Sequence, residues 1–152
     1  MQVMETADSR ELFEQLKSGG AAPADLFDFF DRLPAVSVEA MIGEWRGGIL
    51  SRGHPVEEQL HAMQWDGKRF ASADEVYPII SRDGQGARFV NDALGGASLR
   101  EVVFRGLSSA AMIYDKSPVF DHFRRVDDDR VVGVMAQKGN GRPLFFYLER
   151  LS

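Results

Sequence analysis

The side chains best equipped for chemistry sit in two neighbouring runs, Tyr114-Asp115 and Asp121-His122-x-Arg124, set among apolar residues. Extended-chain alternation puts Met112 and Tyr114 on one face of the first run and Asp115 on the other. In the second run Phe120, His122 and Arg124 share one face and Asp121 takes the opposite one. In a binding reading, Tyr114, Asp115, Asp121, His122 and Arg124 line a pocket floor with Met112 and Phe120. Tyr114 and His122 donate to a ligand oxygen, and Arg124 grips a carboxylate or phosphate. In a catalytic reading, His122 or Asp121 is the general base while Tyr114 and Arg124 polarise a carboxylate. In a purely structural reading, Asp115 and Asp121 flank the Lys116-Ser117-Pro118 turn, and the arginines pair with acids across strands.

Other chemistries find little support. The 152 residues carry no cysteine, so there is no disulfide, thiolate metal site or cysteine nucleophile. The three histidines, His54, His61 and His122, show no H-x-x-x-H or H-E-x-x-H spacing. His54 precedes Pro55 and reads as support for a helix start. Asp127–Asp129 read as a solvated turn. Ser108-Ser109 lacks a nucleophile elbow, and Gly84-x-Gly86 is not followed by a helix. A formal charge of −5 argues against a nucleic-acid or anionic-membrane partner. No stretch has transmembrane length and no signal peptide is visible, so a cytoplasmic protein is expected.

These residues must be positioned by a chain of two characters. Residues 1–8 read as a frayed end. Residues 8–34 read as helical, with Leu12, Phe13 and Leu16 on one stripe and Leu26, Phe27, Phe30 and Leu33 on a second that follows Pro23. Ser37 caps one turn before the stretch Met41–Leu50, where Gly43, Trp45 and Gly47 open the first strand. Pro55 starts a short helix carrying Val56, Leu60 and Met63 on one side. Asp66-Gly67 and Asp83-Gly84 both read as hairpin turns. Five strands follow, at Leu99–Leu107, Ser109–Asp115, Val119–Val126, Arg130–Gln137 and Leu144–Leu151, with links short enough to make neighbours antiparallel. The expected fold is mainly β: about eight to ten antiparallel strands closed into a barrel and covered by two N-terminal helices. The length suits one domain, with segments 8–34, 37–80 and 87–152 as its parts.

Arg150 falls on the otherwise apolar face of the last strand. A buried guanidinium needs a partner, and stacking on Trp45 of the first strand supplies one if the barrel closes.

Gly43-x-Trp45 with Arg150 resembles the calycin pattern of lipocalins and fatty-acid-binding proteins, in which such a pair plugs the closed end of the barrel. A more extensive resemblance covers most of the chain. Gly43–Gly47, Gly53-His54-Pro55 and Trp65-x-Gly67-Lys68-x-Phe70 resemble the bacterial GXWXG domain. Arg105-Gly106, Ser109–Asp115, Pro118, Asp121-x-Phe123-Arg124, Gly133-Val134-Met135 and Leu148-Glu149-Arg150 resemble the domain of unknown function 4334 that usually follows it. The calycin pattern implies Trp45 and Arg150, with Gly43 and Gly47, as barrel-closing residues; the second resemblance implies a two-part single domain of bacterial origin and no activity. Barrels with a G-x-W-x-G motif that resemble nitrobindins hold haem through one histidine, which makes His122 or His54 the candidate ligand.

Three functions follow as expectations. The first is non-catalytic binding of a small hydrophobic or amphipathic molecule, lipid-like or haem, inside the barrel. The second is a small enzyme acting on a carboxylate-bearing apolar substrate through Tyr114, His122 and Arg124. The third is a dimerisation module with Phe27, Phe29 and Phe30 on an exposed helix.

Overall fold

A computed structural model describes residues 3–152, with Asn140 described by its backbone alone. The first two residues of the segment read as frayed lie outside the described residues. Helix α1 spans Thr6–Lys17, α2 Pro23–Asp31 and α3 Val38–Met41. Strand β1 spans Gly43–Ile49, α4 Pro55–Ala62, β2 Trp65–Ser72, β3 Glu75–Arg82 and β4 Arg88–Val90. The remaining strands are β5 (Ala97–Phe104), β6 (Leu107–Tyr114), β7 (Val119–Asp127), β8 (Arg130–Gln137) and β9 (Asn140–Arg150).

Eight strands close an antiparallel barrel in the order β1-β2-β3-β5-β6-β7-β8-β9, and β4 is added on the edge of β3. Closure is made by β1 against β9, with Trp45 opposite Arg150. At that end the Arg150 guanidinium lies 4.2 Å from the centre of the Trp45 ring. It also donates to the carbonyls of Ala40 and Ile42, while the indole N–H donates to Met41 O at 2.8 Å. The three carbonyls belong to α3 and its end, so α3 is tied across this end of the barrel by a tryptophan and an arginine. Glycines make the closure possible. A Cβ on Gly43 would sit 2.6 Å from Ser152 O, and one on Gly47 would sit 2.3 Å from the Trp65 ring.

The interior packs Trp45, Phe70, Met112, Phe123, Phe146 and Leu148 against one another. Outside, α1 and α2 lie on β7, β8 and β9, where Phe13, Phe29, Phe30, Val126, Val132 and Phe145 form a second core. Phe29 and Phe30 are buried and Phe27 meets Phe145 edge-on at 4.7 Å. The aromatic helix face is thus covered by the chain's own barrel, which removes the motive for an exposed dimer face. Phe29 is buried with Leu26, Phe30 and Leu33 in the same core.

Two local expectations fail for physical reasons. Asp66-Gly67 makes no hairpin: β2 runs through it, and the chain reverses at Ala73-Asp74. Gly67 lies so close to β1 that a Cβ would meet Trp45 O at 1.9 Å, and the β2–β3 register shifts on either side of it. Asp66 is held by Arg82 and Arg88 instead of turning the chain. Asp127 is not solvated either. It is buried under α1, where Arg10 and Arg130 donate to it at 2.9 and 2.8 Å.

Candidate functional site

The site begins with an interrupted strand pairing. Pro78 lies inside β3 and has no N–H to give to the β2–β3 ladder. The register passes from Gly67 opposite Ile80 to Arg69 opposite Tyr77, leaving Lys68 without a partner on β3 while it stays paired with Trp45 on β1. The freed carbonyl of Pro78 accepts from Lys68 Nζ at 3.2 Å and from Trp65 Nε1 at 3.4 Å. Lys68 thereby enters the barrel rather than the solvent.

Across the interior, β7 brings in Asp121. Its Oδ2 is 3.3 Å from Lys68 Nζ, and the two side chains are only 2 % and 4 % exposed. The other oxygen, Oδ1, is buried with no hydrogen-bond partner. The lysine nitrogen also lies 5.3 Å from the ring centre of Phe146, 5.6 Å from Trp65 and 5.9 Å from Tyr114, within cation–π range. Burial drives both ionisable partners toward their neutral forms: the Lys68 ammonium is easier to deprotonate and the Asp121 carboxyl harder to ionise. Each partner's charge opposes that drift in the other. Burial, helped by the charge of Asp121, holds the Tyr114 phenol well above its usual range.

These groups form the polar side of a cavity of about 200 Å³. Its apolar wall comes from Val56, Leu60 and Met63 on and after α4, with Trp65, Leu144 and Phe146 from the strands. The helix is placed by its first turn. His54 accepts from Val56 N at 3.1 Å through Nδ1, and its Nε2 is 3.0 Å from Arg142 O. Exposed Gln59, Ser117 and Gln137 mark the rim. The cavity thus lies toward the α4 end, and the Trp45–Arg150 plug closes the other.

The expected residue group is divided by the β-strand it lies on. Tyr114 and Asp121 line the cavity, and Met112 is in the packed interior below it. His122, Arg124 and Phe120 point away from it, because successive residues of a strand face opposite sides. Arg124 lies beneath the helices, giving hydrogen bonds to the carbonyls of Phe30, Asp31, Leu33 and Phe104 at 3.1–3.3 Å. It ends α2 by satisfying carbonyls the helix leaves open. His122 is stacked on Phe104, with ring centres 3.9 Å apart and planes at 4°. Burial, with the charge of Arg124, pushes its pKa down to about 4. Asp115 is exposed beside the rim, and its N–H donates to Gly96 O.

The site therefore cannot use His122 and Arg124 together with Tyr114. Nor do the residues suit haem. No histidine lines the cavity, His54 is engaged as a helix cap and His122 faces the helices. Among the described residues, no three His, Cys, Asp or Glu side chains gather to hold a metal ion.

Lys68 is the main residue that the sequence reading missed. The signal was available: Lys68 and Phe70 are two apart on one strand and so share a face, and Phe70 is a core residue.

Fold and site together define an eight-stranded antiparallel barrel, plugged at one end, with a buried Lys–Asp pair beside a small apolar cavity. Residues 28–86 match the family model described as GXWXG protein, and residues 95–150 match the domain of unknown function DUF4334. A crystal structure of a protein from Thermomonospora curvata is 44% identical, with 95% of this chain and 99% of that one covered and a TM-score of 0.89. The chain belongs to the GXWXG family, with DUF4334 as its C-terminal part. No curated protein matches it. Lys68 comes from the first matched segment and Asp121 from the second, so the ion pair joins the two. None of the described helices is long and apolar enough to cross a membrane.

Proposed function

We propose that the protein binds a small, predominantly apolar molecule in the cavity between α4 and the barrel interior, with its polar end against Asp121, Lys68 and Tyr114. The observation that carries this reading is Asp121, which lines the apolar-walled cavity and has a buried Oδ1 without a hydrogen-bond partner. A buried acceptor without a donor costs about 1–3 kcal/mol, and a ligand hydroxyl or amide N–H would remove that cost. The volume limits the ligand. About 150 Å³ suffices for benzene, whereas sites for drug-sized molecules start at about 300 Å³. A single-ring or short-chain molecule fits the 200 Å³ present. The charge limits it too. Lys68 already has a carboxylate, so an uncharged polar end is favoured over a fatty-acid carboxylate, and the expected grip of Arg124 on a carboxylate has no part here.

Isothermal titration with benzyl alcohol tests the reading. The wild type gives a saturable one-site heat, and Val56→Trp, which puts an indole into the mouth, loses it while still folded. Absence of binding in the wild type, or equal binding in both proteins, contradicts the proposal.

A further inference from the structure

We infer that Lys68 captures small apolar aldehydes or ketones as an imine, with Asp121 moving the protons. This inference rests on the binding reading above and adds chemistry to it.

The geometry supplies each part the reaction needs. The Lys68 nitrogen lines the cavity and is held by two contacts, the Pro78 carbonyl and Asp121 Oδ2, so its position is fixed relative to anything bound there. Three aromatic rings surround it, and although their faces attract a cation, burial away from water makes the ammonium easier to deprotonate. The carboxyl beside it belongs to a cavity-lining residue and has one oxygen on the amine and the other without a partner, so rotation of the carboxyl lets one group serve both the nitrogen and a substrate oxygen. Transfer of one proton from the ammonium to the carboxylate leaves a free amine and a carboxylic acid. Burial favours this state of the pair in both partners. Tyr114 lines the same cavity and offers a phenolic O–H that burial keeps protonated.

The step balances without oxidant, reductant or cofactor. The lone pair of Lys68 attacks the carbonyl carbon, forming the C–N bond as the carbonyl π bond breaks, and the oxygen takes the proton from Asp121. The nitrogen then gives a proton back to Asp121. That proton passes to the departing hydroxyl as the C–O bond breaks, the nitrogen lone pair forms the C=N bond, and water leaves. A remaining proton on nitrogen is shared with Asp121. The apolar wall of Leu60, Met63 and Trp65 selects the carbonyl compound's side chain. A neutral carbonyl also avoids the charge conflict that a carboxylate meets at Asp121.

The test is reductive trapping. Folded protein is incubated with benzaldehyde and cyanoborohydride near neutral pH, and adducts are mapped among the four lysines, Lys17, Lys68, Lys116 and Lys138. The inference expects modification at Lys68 at least tenfold above any other lysine, suppressed by excess benzyl alcohol. Asp121→Asn, with its fold checked by circular dichroism, slows trapping by tenfold or more. Adducts that follow surface exposure overturn it. So does an absence of adduct while benzyl alcohol still binds, which leaves the cavity as a binding site only. Loss of both signals removes the binding reading as well.

Discussion

Lys68 and Arg124 are both buried basic residues on barrel strands, and they have opposite local arrangements. Arg124 faces the helices and has four carbonyl acceptors, three of them at the end of α2 and the segment after it. Lys68 faces the interior with one carbonyl and one carboxylate, and that carboxylate, on a cavity-lining residue, keeps an oxygen without a partner. A saturated buried charge stabilises a particular packing. An unsaturated one beside a cavity has capacity for something else. The contrast separates the cavity-lining Lys68–Asp121 pair from the structural Arg124, which lies only three positions from Asp121 on β7.

The largest expected effect sharpens the Arg124 side. Arg124→Met removes the guanidinium donor that the carbonyls of Phe30, Asp31, Leu33 and Phe104 share and should cost about 3 kcal/mol or more in urea denaturation. Benzyl alcohol affinity in the fraction that remains folded should be unchanged. A parallel loss of affinity would break the comparison by linking Arg124 to the cavity.

The second prediction concerns the Lys68 side. Replacing both members of a buried ion pair with apolar residues is often neutral or stabilising, by about 1–4 kcal/mol. The double variant Lys68→Met with Asp121→Leu should therefore fold at least as stably as the wild type and lose alcohol binding. A clear drop in stability would mean that the pair holds the barrel together as Arg124 holds the helix.

The smallest effect is a pH dependence on the helix-facing side. His122 titrates near 4 in the folded protein against 6.5 when free, so the unfolded chain binds a proton that the folded chain refuses. Stability from this residue is present above pH 6.5 and is lost as pH falls toward 4. His122→Phe, which can keep the stack on Phe104, should flatten that part of the urea-midpoint profile. Carboxylates such as Asp31, lowered by its bond with Arg105, still contribute acid sensitivity in both proteins. An unchanged profile would contradict the neutral, buried imidazole.

The architecture was legible because alternation and turn chemistry are local. The strands from Ala97 to Arg150, the Ser37 cap and the Trp45–Arg150 closure all follow from spacing within short segments and from the need for a closed sheet. The site was only half legible. Tyr114 and Asp121 are on the cavity side, whereas His122 and Arg124 fall on the other face that alternation already gave them, so the grouped reading of all four residues fails. The mixed faces of β7 have two causes at once: a cavity meets one side and helices cover the other. Lys68 was obscured because Asp66-Gly67 carries a strong hairpin signal, and the bulge opposite Pro78 depends on a strand about ten residues away. The bulge itself leaves no mark in its own segment, and the spacing of Lys68 from Phe70 was the one local sign of its inward face.

The central claim is that the space beside Asp121 receives a ligand. A crystal structure of the protein soaked with benzyl alcohol tests it directly. The account predicts the aromatic ring between Leu60 and Trp65, with the hydroxyl about 2.7–3.0 Å from Asp121 Oδ1. A cavity closed by Met63 or Trp65, or one that holds only ordered water at saturating alcohol, would contradict it.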